Sequence, residues 1–211
     1  MKINSPKISG VLTEKNFQDV FDEEDFVLED CEIIGSEFVN EAIGRVQIYN
    51  ANIQNCKFTN TDFSNIDITD ARFINCDFSN VNMTQSSIHR VEFENCKLLG
   101  ANFPESSLGN VRFNHSILNL ATFGSSKLEK VIFNECSLEG TDFYDCKLKQ
   151  LTFEKCSLDG GSFEQTPLKG IDLSSSTFDS LSVTLSDLKG CKVSREQAVQ
   201  LSTLMGLLIV D

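Results

Sequence analysis

The sequence contains no tryptophan, and its 211 residues include only two histidines, two tyrosines and three prolines. It is also poor in positive charge, with 18 Lys and Arg against 31 Asp and Glu and a formal net charge of −13. The two histidines, His89 and His115, lie far apart in the sequence and outside any catalytic motif. So acidic a chain is poorly suited to binding nucleic acid or an anionic membrane surface directly, and it suits a cationic partner.

The motifs that mark common catalytic and metal sites are missing as well. There is no H-E-x-x-H, G-x-S-x-G, P-loop or G-x-G-x-x-G sequence, and the eight cysteines have no C-x-x-C spacing. No apolar run approaches the roughly 18 residues of a membrane span. The polar segment Met1–Gly10 is not followed by the apolar region of a secretion signal. We therefore expect a cytoplasmic protein that is not an enzyme and that uses no cofactor or metal.

A large apolar residue recurs at every fifth position from Leu28 to Val193, through 34 consecutive pentapeptides without an insertion. We call this the central position, and 14 of the 17 phenylalanines occupy it. All eight cysteines lie two residues before a central residue, a place otherwise held mostly by Ala, Ser, Thr, Val and Ile. Because residues i−2 and i of a strand share a face, both positions are predicted to point inward. The cysteines are expected to be free thiols that pack as small apolar residues.

The position two residues after the central one is rich in Asn and Gly, as at Asn55 and Gly100, which predicts a turn with positive φ after each short strand. A longer period of 20 residues is also present, since residues 93, 113, 133 and 153 are all Phe. Four pentapeptides would then form one coil of a square solenoid. At 4.8 Å per coil, 34 units make about 8.5 coils and a rod roughly 40 Å long.

The repeated units Ala71-Arg-Phe73, Ala101-Asn-Phe103 and Thr141-Asp-Phe143 resemble those of the pentapeptide repeat family. The resemblance implies an all-β solenoid, a right-handed quadrilateral β-helix. We divide the chain into an N-terminal cap (1–25), the β-helix (26–193) and a C-terminal helix and tail (194–211). Phe26 and Glu41 fall at the small inward position, where a carboxylate would be costly to bury, so we expect irregular geometry in the first two coils.

The C-terminal segment is predicted to be a capping helix, because Ser194 and Gln197 form a capping box and Gly206 is a suitable stop. The tail that follows is strongly apolar. It either folds onto the last coil or joins two copies in a symmetric dimer through their C-terminal ends. The candidate dimerisation residues are Leu201, Leu204, Met205, Leu207, Leu208 and Ile209.

Charge is distributed unevenly when outward residues are sorted by the face of the square coil. Two adjoining faces are acidic, and the face centred on residues 128, 148 and 168 is rich in lysine. The acidity serves either solubility or recognition of a partner. The candidate partner-binding residues are five carboxylates and a small apolar cluster: Asp62, Glu105, Asp142, Asp145, Glu164, Leu99, Ile117 and Leu120.

Within the family, the chain is most similar to the Qnr and MfpA group in its length, its acidity, its nearly uninterrupted repeats and the terminal segment Ser194–Asp211. That resemblance implies a dimeric DNA mimic of the bacterial cytoplasm that binds DNA gyrase and topoisomerase IV and protects them from quinolones. Many Qnr proteins carry projecting loops, for which the unbroken register here leaves no room. The alternative is a scaffold of the same fold that binds an unrelated protein.

Overall fold

Eight parallel strands follow one another in chain order along a single sheet, and each of the six inner strands pairs with the strand one coil earlier and the strand one coil later. The computed structural model describes residues 1–8 and 10–210. The strands of the sheet are β1 (Thr13–Lys15), β2 (Val27–Ile34), β3 (Gln47–Gln54), β4 (Asp67–Ile74), β5 (Ser87–Glu94), β6 (Ser107–Asn114), β7 (Lys127–Asn134) and β8 (Lys147–Glu154). A short pair, β9 (Gly161–Ser162) and β10 (Leu181–Ser182), forms a second sheet, and one α-helix, α1 (Arg195–Ser202), ends the solenoid. Short 3₁₀ turns span Phe17–Phe21, Glu24–Phe26 and Thr203–Met205.

The register between coils is 20 residues, so that Ile48 pairs with Ile68 and Phe73 with Phe93. This confirms four pentapeptides per coil and gives the solenoid four faces. Face A is centred on residues 48, 68 and onward, face B on 53, 73 and onward, face C on 58, 78 and onward, and face D on 63, 83 and onward. Strands β2 to β8 cover faces A and B, while isolated bridges such as Lys57↔Asp77 and Asp62↔Asn82 join the coils on faces C and D.

The predicted corners are confirmed. Every fifth residue from Asp30 to Gly170 has a positive φ, as at Asn55 (+55°) and Gly100 (+65°). Even Arg90 (+51°) and Leu120 (+60°) adopt it, although residues with a large Cβ substituent are disfavoured there. The repeated coil geometry therefore overrides local preference at these positions.

The core consists of the central residues stacked in columns. Phe93 and Phe113 are parallel with ring centroids 4.8 Å apart, and Phe113 and Phe133 repeat this at 5.0 Å. Rings of neighbouring faces meet edge to face, as Phe123 and Phe133 do at 6.1 Å and 76°. Identical side chains one coil apart thus fill the interior in layers, with packing of both the stacked and the perpendicular kind.

The second inward position holds compact residues, and several of its Ser, Thr and Cys side chains donate a hydrogen bond to a backbone carbonyl. Ser126 Oγ donates to Phe103 O at 2.6 Å, and Cys146 Sγ lies 3.0 Å from Phe123 O in the same arrangement. All eight cysteines are free, and all but the half-buried Cys191 are buried. Burial raises the pKa of Cys146 to about 12, so the thiol stays protonated and able to donate. The expectation of free, inward-facing thiols is confirmed.

The N-terminal segment completes the first coil and closes its end. Strand β1 pairs with β2 in register, Thr13 opposite Cys31, and the buried Phe17 packs its ring 4.8 Å from Phe58. The expected irregularity lies just before β2, where Asp25 and Phe26 both have positive φ. The inward position assigned to Phe26 and Glu41 was wrong, since Phe26 is 40% exposed and Glu41 is only half-buried. Glu41 thereby avoids the desolvation of a carboxylate.

The C-terminal helix begins at the predicted cap, whereas α1 ends at Ser202 and a 3₁₀ turn, Thr203–Met205, continues to the predicted stop at Gly206. Ser194 and Gln197 form both hydrogen bonds of the capping box, and Gly206 ends the segment in the left-handed conformation at φ 73°. Gln197 has a second role that the sequence does not reveal. Its buried amide donates from Nε2 to Leu173 O at 2.9 Å and Ser176 O at 2.7 Å, satisfying carbonyls that no further coil can reach.

Candidate partner-binding surfaces

The two histidines lie on different faces of the solenoid. His89 lies half-buried on face A, and burial lowers its pKa. His115 lies at the corner of face B with Nδ1 3.4 Å from Glu135. Within residues 1–8 and 10–210, no cluster of three or more His, Cys, Asp or Glu side chains could hold a metal ion. None of the helices in that part of the chain is long and apolar enough to cross a membrane.

Face D carries the five candidate carboxylates, each on the outer side of a coil. Asp62 and Asp142 are half-buried, and the other three, Glu105, Asp145 and Glu164, are exposed. Their hydrogen-bond donors are neutral: Asn82 Nδ2 reaches Asp62 at 2.9 Å and Gln85 Nε2 reaches Glu105 at 2.9 Å. Among the described residues, none of the five has a Lys, Arg or His nitrogen within 4.0 Å. Their charge is therefore available to a partner.

Face C differs between its two halves. In the N-terminal half, acidic and basic residues alternate along the 20-residue register, and two ion pairs form, Glu37 with Lys57 at 2.5 Å and Asp77 with Lys97 at 3.7 Å. In the C-terminal half, the acidic residues have no cationic partner among the described residues. They adjoin the acidic residues of face D, because residues 138–145 cross from one face to the other. We call this combined surface the acidic corner: Glu139, Asp142, Asp145, Asp159, Glu164 and Asp179.

Backbone contacts show that the acidic corner is continuous. Gly140 N donates to Asp159 O at 2.8 Å, and Asp145 N donates to Glu164 O at 3.1 Å. The sequence places Lys57 and Lys97 on the otherwise acidic face C, but the prediction of two acidic faces did not separate the neutralised half of face C from its acidic half. The alternation Glu37, Lys57, Asp77, Lys97 at intervals of 20 residues is the signal that could have shown it.

The apolar candidates lie on adjacent coils of face C. Ile117 is 45% exposed and Leu120 is 63% exposed, while Leu99 is half-buried. The coil register places Gly100 N 2.9 Å from Asn119 O, so residues 99–100 lie beside 119–120. The side chain of Leu120 covers Gly140, where an added Cβ would lie 2.8 Å from Leu120 Cδ2. The structure thus brings the three residues together next to the acidic corner.

The lysines of face A occupy the opposite side of the same half of the rod. Lys149 and Lys127 reach Glu129 at 2.6 and 3.6 Å, and this interaction lowers the pKa of Glu129. Lys130, Lys147 and Lys169 have no carboxylate within 4.0 Å in the described part of the chain. The C-terminal half of the rod is therefore polarised, acidic on one side and basic on the other.

The candidate dimerisation residues lie beyond the last coil. Leu201 is half-buried against the core, and the others are exposed: Leu204 40%, Met205 58%, Leu207 50%, Leu208 93% and Ile209 56%. Val210 is 86% exposed. The tail to residue 210 does not fold onto the last coil, so the first of the two interpretations is wrong for the chain as described; Asp211 lies outside the described residues.

Comparison with known proteins gives matches at two levels. The model described as a pentapeptide repeat region matches residues 46–123, 86–163 and 126–202, which overlap and together span 46–202. A trypsin-treated form of QnrB1, a plasmid-mediated fluoroquinolone resistance protein, is 22% identical over 85% of this chain and 100% of that chain, with a TM-score of 0.49. Full-length QnrB1 is 23% identical over 83% of this chain and 100% of that chain, with a TM-score of 0.48.

HetL, a pentapeptide repeat protein involved in heterocyst differentiation regulation from the cyanobacterium Nostoc, is 13% identical over 78% of this chain and 90% of that chain, with a TM-score of 0.40. The search of curated protein sequences finds no match. The family model covers well over half of the chain, in the register that the strands display. The chain belongs to the pentapeptide repeat family.

Proposed function

We propose that this protein binds DNA gyrase and topoisomerase IV in the bacterial cytoplasm by imitating a DNA segment, and that it thereby protects them from quinolones. The observation that carries the proposal is the set of carboxylates on face D and in the C-terminal half of face C. Within residues 1–8 and 10–210 these have no cationic partner, and the repeats run without a projecting loop. The acidic faces of such a rod would be complementary to a basic groove that holds duplex DNA.

The density of negative charge on faces C and D is lower than that of duplex DNA, so it accounts for only part of the proposed imitation. Duplex DNA carries one charge per roughly 1.7 Å of helix axis, whereas faces C and D carry far fewer carboxylates along a rod of roughly 40 Å. Electrostatics would therefore chiefly set the association rate and its dependence on salt. The apolar cluster Leu99, Ile117 and Leu120, beside the acidic corner, would supply apolar contacts that add to the affinity.

The C-terminal ends supply the proposed dimer. Residues 204–210 carry six large apolar side chains that are 40% or more exposed, and such a contiguous patch is costly to leave in water. A two-fold axis through this end would bury the patch and roughly double the rod. It would also place the two acidic corners near the middle of the dimer. This part of the dimer would take the place of the DNA segment that the enzyme cuts.

Changing both Leu204 and Leu208 to Glu is expected to convert the dimer to a monomer, because four carboxylates would then meet in an apolar interface. Light scattering at micromolar concentration gives the masses of the original chain and the variant. The matched control is Val11→Glu, which adds charge at the other end, at a side chain that is 94% exposed, and is expected to leave the dimer intact. A monomeric original chain would reject the proposed dimer.

The proposed function is tested by a DNA supercoiling assay with purified gyrase. We expect inhibition of supercoiling, or rescue from a quinolone, at low micromolar protein, since a mimic competes for the DNA-binding groove. The same assay is made with topoisomerase IV on decatenation. If neither enzyme responds at high protein concentration, the chain is a scaffold for a different protein partner, and the proposal is wrong.

A further inference from the structure

Strand β8 is the last strand of the main sheet, and its forward edge is open. On faces C and D, the central residue of each coil donates its N–H to the following coil, as Leu138 N does to Ser157 O and Phe143 N to Ser162 O, both at 2.8 Å. Among the described residues, no backbone hydrogen bond or strand pairing joins residues 147–154 to residues 167–174. The following coil still reaches the end of β8, where Ser175 Oγ and Ser176 Oγ donate to Phe153 O at 3.2 and 3.4 Å. The edge left without a neighbouring strand is therefore residues 147–152, a state that natural sheets normally avoid or use.

The sequence accounts for where the separation begins. Thr166 still lies beside β8, with Oγ1 accepting from Cys146 N at 2.8 Å. The next residue is Pro167, which has no N–H to donate back to the preceding coil. In the two preceding coils the residue at this place donates backward, Lys127 N to Ser106 O and Lys147 N to Ser126 O, both at 2.9 Å, so Pro167 removes that bond. The two coils therefore part along face A directly after Thr166.

A cleft of about 360 Å³ opens at this separation, lined by Cys146, Leu148, Pro167 and the lysines 127, 147 and 149. Leu148 is a central residue, yet it is only half-buried, whereas its counterpart one coil earlier, Leu128, is fully buried. The floor of the cleft is thus apolar and its rim is cationic. This combination differs from the rest of an acidic protein, and it is separate from the acidic corner.

We propose that the forward edge of β8 binds an extended, acidic peptide segment of a partner protein by strand addition. The open N–H and C=O groups of residues 147–150 would form the backbone hydrogen bonds. Alternate side chains of the added segment would point inward over Leu148 and outward beside Lys147 and Lys149. Charge decides the occupant: the same edge of a second copy would set lysine against lysine, which disfavours self-pairing.

The test uses a fluorescein-labelled octapeptide of alternating Val and Glu, titrated with the full-length protein and followed by anisotropy. We expect saturable binding. The same peptide N-methylated at every residue keeps its charge and side chains but cannot pair at either edge, and it is expected to bind at least ~tenfold more weakly. The paired change Lys147→Glu and Lys149→Glu is expected to weaken binding by at least ~tenfold as well. Because the N-methylated comparison uses the unaltered protein, it stands even if this variant fails to fold.

The matched control is Lys57→Glu with Lys97→Glu, which changes the net charge equally on face C and should shift the affinity by no more than about twofold. Equal binding of the N-methylated peptide would overturn the proposal, because charge alone would then explain the interaction. A single-stranded oligonucleotide that binds as tightly as the peptide would also overturn it, in favour of a site for polyanions. Absence of binding at millimolar protein would reject the proposal. The lysines would then serve only to prevent pairing of the exposed edge with another strand.

Discussion

Replacing Phe133 by alanine is expected to lower the free energy of unfolding by about 3–5 kcal/mol. The ring is fully buried and contacts four others: it stacks on Phe113 and Phe153 at 5.0 and 5.3 Å and meets Phe123 and Phe143 edge to face, both at 6.1 Å. The neighbouring rings are held by their own coils and cannot collapse into the space. A cavity therefore remains, and its cost adds to the lost transfer free energy. Urea unfolding monitored by circular dichroism measures the difference.

The neighbouring substitution Asn134→Ala is the matched control. Asn134 lies one residue further along β7, is half-buried on the outer side of the strand, and keeps its backbone pairing with Glu154 whatever its side chain. Its loss is expected to remain within about 0.5 kcal/mol. Equal losses for the two variants would mean that the inward and outward positions have been assigned wrongly.

Reversing Asp142, Asp145 and Glu164 together to Lys is expected to weaken binding to gyrase strongly and to flatten its dependence on salt. These carboxylates have no cationic partner among the described residues, so nothing in the protein already neutralises the charge that the partner would meet. The triple change alters the net charge by about six units within one surface and turns attraction into repulsion. Binding titrations at several salt concentrations report both the affinity and the slope.

Two further variants separate charge from shape. Changing Leu99 and Ile117 to Ser is expected to weaken binding with little effect on the salt slope, because apolar contacts are not screened by ions. Changing Lys127 and Lys147 to Glu, on the opposite side of the rod, is expected to leave binding intact or to improve it. If the lysine variant loses binding while the triple variant keeps it, imitation of DNA by faces C and D is wrong, even if gyrase proves to be the partner.

Much of the fold could be predicted from the sequence because each pentapeptide repeats the same pattern of inward-facing and turn-forming residues. The central Phe or Leu and the small residue two places earlier must share one side of a short strand, and the residue two places later must turn. The stacking of residues 93, 113, 133 and 153 then gives the coil length directly. The capping box at Ser194 is likewise a local signal, so the start of α1 was predictable to the residue.

Other features depend on which groups of different coils meet, and only the tertiary structure decided them. The 20-residue repeat places both carboxylates and lysines on face C, but whether they pair depends on the reach of the side chains between coils. The N-terminal half of face C is neutralised in this way, and its C-terminal half is acidic. Pro167 signals a missing donor, yet how far the two coils separate along β8 depends on where the following coil finds its partners. Gln197 reads as a capping residue, and only the end of the solenoid supplies the carbonyls that its amide satisfies. In each case the sequence determined the groups that were present, while their partners were set by distances between segments that no local pattern encodes.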